Sequence, residues 1–261
     1  MKKLVSIILL CLACLGGLEA QNHWKPIGMQ GIFLGVSPEG SYYSYYASTY
    51  GPSIIRSQDE GDTWQIVLGY ETGFDCSFNW HCFNVTPEGR VFLFEDYPYR
   101  AFFSDDDGDT WQTTAPVPLT NGSAAEHLYA SNNSIVVGVT DINQVFWTTD
   151  GGASWDTTRL DFVEDYQFVG DLLVNEDGDV YLCVWSYGGP GDGIYHSTIS
   201  DMQHWQVVAA SNCSIRDMAF DPEGNVVACG WNINGSIGFQ HTQGFYLFDG
   251  RNLAISDSGV I

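Results

Sequence analysis

Ser57–Trp64 reads SQDEGDTW, Ser104–Trp111 reads SDDDGDTW, and Thr148–Trp155 reads TTDGGASW. The three strings share one pattern: a hydroxyl residue, Asp two places on, Gly two further, then a second hydroxyl residue and a closing Trp. Asp59, Asp106 and Asp150 stand 47 and 44 residues apart. A period of that size is the length of one small antiparallel sheet, the repeating unit of a propeller.

A second ladder runs between these strings. Turns at Pro38-Glu39-Gly40, Pro87-Glu88-Gly89, Asn132-Asn133, Asp177-Gly178, Pro222-Glu223-Gly224 and Asp257-Ser258-Gly259 each separate two apolar stretches. Gly40, Gly89, Asn133, Gly178, Gly224 and Gly259 follow at steps of 49, 44, 45, 46 and 35. Gly and Asn both tolerate positive φ in a hairpin, so the single departure from Gly keeps the turn chemistry. β-rich runs follow the turns: Val91-Phe92-Leu93-Phe94, Ile135-Val136-Val137, Val180-Tyr181-Leu182-Cys183-Val184 and Val226-Val227-Ala228-Cys229. No helical periodicity of useful length interrupts them.

Each repeat thus reads as strand, Gly turn, strand, variable loop, strand, Asp turn, strand. The expected fold is all-β, a β-propeller of four-stranded antiparallel blades with about five repeats and the start of a sixth, in one domain over residues 22–261. The fourth repeat keeps a worn motif, Ser197–Trp205 (STISDMQHW), without the Gly, yet Trp205 still falls 50 residues after Trp155. The fifth has no Asp motif. His23-Trp24-Lys25-Pro26-Ile27 resembles the last strand of a blade, as in Trp64-Gln65-Ile66-Val67. Residues 253–261 align with 218–226, so the chain stops just inside a sixth repeat. Either the gene product is truncated or residues 251–261 close a five-bladed ring. Truncation is preferred, since a severed inner strand exposes a sheet edge that proteins normally cover.

Residues 1–20 read as an export signal: Lys2 and Lys3, an apolar run from Leu4 to Leu15, then small residues with cleavage after Ala20. The run is short for a membrane span, and Cys11-Leu12-Ala13 before Cys14 is a poor lipidation pattern. The chain carries 9 Lys and Arg against 32 Asp and Glu, a formal charge of −23, and loss of the signal leaves Lys25 as the last lysine. Such a balance excludes nucleic acid and anionic membrane surfaces as partners, because both require cationic stripes. The expectation is an acidic, secreted or cell-surface protein with no membrane insertion after signal removal, either monomeric or part of a longer surface protein. In that setting Cys76 and Cys82 could close a small loop disulfide. Cys183 and Cys229 occupy matching places in apolar strands and read as buried thiols. Neither a paired-cysteine nor a His/Cys ligand spacing is present, so no metal site or cofactor is expected.

The Asp motifs look at first like acidic sites, above all Asp105-Asp106-Asp107-Gly108-Asp109. Their chemistry points to structure instead. Ser or Thr and Asp two residues apart hydrogen-bond nearby backbone N–H groups, Gly supplies a conformation other residues resist, and Trp fills the wedge between blades. The structural set is Ser57, Asp59, Gly61, Trp64, Ser104, Asp106, Gly108, Trp111, Thr148, Asp150, Gly152 and Trp155. An active site is needed once, whereas a turn is needed in every blade. The distal Glu of an EF-hand loop is missing, which argues against calcium.

These strings resemble the Asp boxes, or BNR repeats, of the sialidase-like propeller superfamily. The resemblance implies boxes between third and fourth strands, on the rim opposite the ligand face. It implies three candidate roles: sialidase, endo-glucanase of the xyloglucanase type, or non-enzymatic binding or assembly factor. A sialidase would need an Arg-Ile-Pro signature and an arginine triad. The signature is missing; Arg56 precedes Ser57 of a box and Arg90 follows a Gly turn, both on the rim away from the implied ligand face, and Arg100, Arg159, Arg216 and Arg251 lack the family's local motifs. A hydrolase needs two opposed carboxylates. Glu95, Asp96, Asp161, Glu164, Asp165 and Asp192 are available, but nothing singles out a pair.

The opposite rim is where the sequence spends its aromatics, from Tyr42 to Tyr50 and onward. Trp80, His81, Tyr97, Arg100, Trp185, Tyr187 and Trp231 are its candidate ligand contacts. Sugar faces stack on aromatic rings while hydroxyls reach carboxylates and amides, so an acidic aromatic rim suits a neutral glycan, with an extracellular protein as the other partner class. Trp185 and Trp231 each stand seven residues after their repeat's Gly and alternatively form a repeated core position. The six histidines, His23, His81, His127, His196, His204 and His241, are scattered and form no nucleophile motif. The expected function is non-enzymatic binding of glycan or protein at this rim, with a glycoside hydrolase as the alternative.

Overall fold

The computed structural model describes residues 31–48, 51–72, 78–95, 99–120, 123–164, 167–186, 192–210, 213–221, 224–232, 237–241, 246–249 and 252–255. Four sheets of four antiparallel strands follow one another along the chain. The first holds β1 (Ile32–Val36), β2 (Tyr42–Ser48), β3 (Gly51–Ser57) and β4 (Gln65–Gly69). The second holds β5 (Phe83–Val85), β6 (Val91–Glu95), β7 (Arg100–Ser104) and β8 (Gln112–Pro116). The third is β9 (Ala125–Ala130), β10 (Val136–Thr140), β11 (Gln144–Thr148) and β12 (Asp156–Arg159). The fourth is β13 (Phe168–Val174), β14 (Asp179–Trp185), β15 (Gly193–Thr198) and β16 (Gln206–Ala210).

A fifth sheet contains β17 (Cys213–Phe220), β18 (Val226–Asn232) and β19 (Ile237–His241). The strands β20 (Tyr246–Asp249) and β21 (Asn252–Ile255) pair as a hairpin, with Asp249 opposite Asn252. Repeat register assigns residues 253–255 to the first strand of a sixth unit; here they form the second arm of that hairpin. First strands of successive sheets contact one another, β1 with β5, β5 with β9, β9 with β13 and β13 with β17. This is the blade arrangement of a β-propeller, with each first strand toward the axis. No helix among the described residues is long and apolar enough to cross a membrane.

The continuous apolar runs of the second strands now have a cause. In β6, Val91 and Leu93 pack with Tyr43, Ile54 and Leu68 of the first sheet, while Phe92 and Phe94 pack with Val136 and Phe146 of the third. In β10, Val136 faces the second sheet while Val137 and Val139 face Leu172 and Leu182 of the fourth. Side chains alternate between faces, and both faces are covered, so every position must be apolar. Each such side chain contributes roughly 1.5–3 kcal/mol by leaving water. Gly138 is the exception with a reason: a Cβ there would lie 2.1 Å from the ring of Phe146, its cross-strand partner.

The closing tryptophans sit between sheets. Trp111 packs into the cluster joining the first and second, Trp155 into that joining the second and third, and Trp205 into that joining the third and fourth. Cys183 is fully buried, and burial pushes its thiol pKa well up. Cys82 is buried with Sγ 3.4 Å from the carbonyl oxygen of Ala125. Cys76, its expected partner, and the strand-like segment His23–Ile27 lie outside the described residues.

Candidate functional site

The Asp turns between third and fourth strands are one structure built three times. Ser57 Oγ donates to Asp59 Oδ1 at 2.8 Å and accepts the Gly61 N–H at 2.8 Å. Asp59 then accepts the Thr63 N–H at 2.8 Å and the Thr63 hydroxyl at 2.6 Å. The same bonds recur in Ser104, Asp106, Gly108 and Thr110, and in Thr148, Asp150, Gly152 and Ser154. Two consecutive residues take positive φ in each turn: Glu60 and Gly61 at 58° and 87°, Asp107 and Gly108 at 58° and 89°, Gly151 and Gly152 at 71° and 91°.

Donation by Thr63 holds the Asp59 carboxyl down at about 2, and donation by Ser154 does the same for Asp150 at about 2. Asp106 is lowered by Thr110 in the same way. Carboxylates so occupied are poor bases. Trp64 and Trp111 donate Nε1–H to the carbonyls of Gly61 and Gly108, whereas Trp155 reaches Thr114 Oγ1 of the second sheet at 3.3 Å. In the worn fourth turn Ser197 Oγ donates to the carbonyls of Asp201 and His204, and Trp205 Nε1 to that of Met202 at 2.9 Å.

The arginines of this rim join sheets. Arg56, 2 % exposed, donates to the Asp107 carbonyl and to Asp109 Oδ1 at 2.7 Å. Arg90 grips Asp105 at 2.6 and 2.9 Å and donates to the Asn133 carbonyl at 3.0 Å. Arg100 lies on the other rim, where it donates to Glu95 Oε2 at 2.8 Å and covers the Phe102 ring. Each of these three serves a separate carboxylate, so they do not converge on a common anion site.

On the rim opposite the Asp turns, five segments line an open cavity of about 510 Å³. His81 comes from the 3-10 turn Trp80–Cys82, and Glu126 and His127 from the start of β9. Thr140, Asp141 and Asn143 come from the β10–β11 turn, Phe168 to Gly170 from the start of β13, and Trp185 from the end of β14. The β10–β11 turn is fixed by its own bonds: Thr140 Oγ1 accepts the Gln144 N–H at 3.1 Å, and Asp141 Oδ1 accepts the Ala124 N–H at 2.9 Å. Asn143 takes φ 59°, a conformation that Asn tolerates. Phe168, 48 % exposed, stacks on Trp185 with centroids 4.9 Å apart. At Gly170 a Cβ would lie 2.7 Å from the Ile215 carbonyl oxygen and 2.8 Å from Trp185 Cδ1, so the bulge in β13 requires glycine.

Behind the cavity is a line of titratable groups. The His81 and His127 rings lie 5.0 Å apart, and His127 Nδ1 is 3.7 Å from Asp171 Oδ1. Asp171 Oδ2 accepts the Met218 N–H at 2.8 Å, linking β13 to β17. Burial, reinforced by the charge of Asp217, pushes the Asp171 carboxyl up to about 8. Burial, reinforced by His81, pushes His127 down to about 4, and burial lowers His81 as well. At neutral pH the site therefore holds uncharged imidazoles and a carboxyl that retains its proton. Among the described residues no group of three or more His, Cys, Asp or Glu is placed to hold a metal ion.

Of the expected rim contacts, His81 and Trp185 line the cavity. Trp185, at 9 % exposure, is mostly spent on Phe168. Trp80 is 41 % exposed and sits beside, packed edge-on to Tyr45 and against His81. Arg100 is committed to Glu95. Trp231 lies in β18, opposite Ser214 and Ile237. Tyr97 and Tyr187 lie outside the described residues. Glu126, His127, Asp141, Asn143, Phe168, Asp171 and Asp217 lie beyond the rim contacts that the sequence predicts. Asp171 and Asp217 carry a readable signal, since each stands seven residues before its repeat's turn Gly, Asp171 in an otherwise apolar strand.

No protein-family model and no curated protein sequence matches the chain. Solved structures do. The GH74 xyloglucanase from Xanthomonas campestris is similar with a TM-score of 0.53 at 15 % identity, over 82 % of this chain and 36 % of that one. This chain thus spans little more than a third of that enzyme's length. YCF48 from Cyanidioschyzon merolae gives 0.54 at 15 % identity, over 88 % and 72 % of the two chains. Virginiamycin B lyase from Staphylococcus aureus gives 0.54 at 12 % identity, over 83 % and 70 %. At these identities the likeness is one of fold. The chain is a β-propeller, and the structures it resembles include a xyloglucanase, a lyase and YCF48.

Proposed function

We propose that this chain is an exported Asp-box propeller of the sialidase-like type and a non-enzymatic module that binds glycan on the rim opposite its Asp turns. The observation that carries this is the Phe168–Trp185 stack in the wall of the 510 Å³ cavity, whose lining also includes Asp141, Asn143 and Glu126. An apolar platform beside convergent polar groups is what a sugar ring requires. The three identical Asp turns support the Asp-box assignment, and the export signal supports an extracellular setting. Hydrolysis is the less favoured reading. Asp171 and Asp217 stand on the adjacent strands β13 and β17, where the second raises the pKa of the first, and neither lines the cavity, whereas a glycosidase needs its two carboxyls flanking the bound sugar.

Glycan-array binding of the mature chain tests this, with Phe168→Ala and Trp80→Ala as variants. Retained array signal in the wild type and at least tenfold loss in Phe168→Ala is the expected result. No signal from any glycan, or full signal in Phe168→Ala, overturns it, and release of reducing ends from a bound glycan would favour the hydrolase.

A further inference from the structure

We infer that the ligand of this cavity carries a protonated amine, as in a hexosamine sugar whose amino group is not acetylated; the inference rests on the glycan reading above. The charge of the cavity wall leads there. Its lining includes two carboxylates, Glu126 and Asp141, and neither lysine nor arginine. Its two imidazoles are held uncharged by burial and add no positive charge near neutrality.

The aromatic wall points the same way. An ammonium within about 6 Å of a ring centroid is attracted by the ring's quadrupole, by about 0.5–2 kcal/mol depending on desolvation. Phe168 offers such a ring at the cavity, and Trp185 fixes its orientation by stacking behind it. An amine seated between Phe168 and the carboxylates of Glu126 and Asp141 would meet favourable charge on both sides. An N-acetylated sugar of the same shape would keep the stacking and lose the charge term.

Calorimetric titration at pH 6 of the mature chain with glucosamine oligomers, against N-acetylglucosamine oligomers of equal length, tests the idea. The free-amine oligomer is expected to bind at least tenfold tighter, with the advantage shrinking as salt is raised, because exposed charge pairs are screened. Glu126→Gln and Asp141→Asn should each weaken amine binding several-fold while leaving the acetylated oligomer unaffected. Glu88→Gln, which removes one charge from the opposite rim, controls for attraction by the acidic chain as a whole. Equal affinity for the two oligomers overturns the amine inference and leaves glycan binding standing. So does an equal loss in Glu88→Gln and Glu126→Gln. Failure of both oligomers, together with a silent glycan array, overturns the glycan reading itself.

Discussion

The carboxyl of Asp171 reaches from the first strand of the fourth sheet to the backbone N–H of Met218 in the fifth, at 2.8 Å. It does so while half-buried, its side chain 19 % exposed, and beside a second carboxyl, Asp217; desolvation and that neighbour raise its pKa from 3.8 to about 8. The unfolded chain has given up this proton by pH 5, and the folded chain keeps it. Stability from this group is therefore complete below the unfolded value and is lost as pH rises toward 8. His127 acts oppositely: its pKa falls from 6.5 to about 4, so the unfolded state binds the extra proton and stability drops on acidification through that window. The two offset each other below pH 6.5. Above it only Asp171 remains, and thermal melts between pH 6.5 and 8 should show a decline of up to about 1.4 kcal/mol per pH unit. Asp171→Asn should flatten that decline; parallel pH profiles in the two proteins would refute the assignment.

Ser104 is the hub of its Asp turn, fully buried, with Oγ accepting the Gly108 N–H at 2.8 Å and donating to Asp106. Ser104→Ala leaves that N–H buried without a partner, at a cost of about 1–3 kcal/mol. For a domain of this size the melting temperature should drop by about 2–4 °C per kcal/mol. Asp106→Asn should cost less, because one oxygen remains to accept from Thr110. If Ser104→Ala melts with the wild type, the turn is not held by this hydroxyl.

Why the fold was legible and the site was not follows from range. The hydrogen bonds of each Asp turn span at most four residues, so residue types and spacing express them directly. The alternation in Val91-Phe92-Leu93-Phe94 is invisible as a period because both faces are apolar, yet the run still reads as a strand. The cavity, in contrast, is assembled from His81, Glu126, Asp141 and Phe168, which come from three successive repeats and meet only after the sheets stack. No local pattern marks Phe168 as a platform or Asp141 as a wall. Trp185 was visible as a repeated position, but its role depends on Phe168 seventeen residues earlier, across the strand pair.

Tyr43 and Asp107 couple the first and second sheets. The Tyr43 hydroxyl donates to Asp107 Oδ1 at 2.7 Å and contacts its carbonyl oxygen at 2.8 Å, while Ser41 donates to Oδ2. Burial and the adjacent carboxylate raise the pKa of the phenol, and hydrogen bonding from Ser41 and Tyr43 lowers that of Asp107 against its own desolvation. Tyr43→Phe should cost about 1.5–3 kcal/mol, the range for a hydrogen bond to a charged group. A double-mutant cycle with Asp107→Gly, which suits the φ of 58° there, should return a coupling of about 0.5–3 kcal/mol. Strict additivity in denaturant titrations would show that the pair is incidental.

Gly170 and Gly224 separate damage to the cavity from damage to the backbone. At Gly170 an added methyl would press on the Ile215 carbonyl oxygen at 2.7 Å and on Trp185 at 2.8 Å. Either β13 must shift from β17, or Trp185 must turn and lose its stack with Phe168. Overpacking of this kind costs about 1–3 kcal/mol, and here it should also weaken glycan binding at least tenfold. At Gly224 nothing lies within 4 Å of the added methyl, but φ is +84°, so alanine there pays only the left-handed strain of about 1–2 kcal/mol. Both variants should therefore melt earlier, while Gly170→Ala alone should lose affinity for a bound glycan. Equal affinities for that glycan in the two variants would mean that the Phe168–Trp185 wall does not touch the ligand.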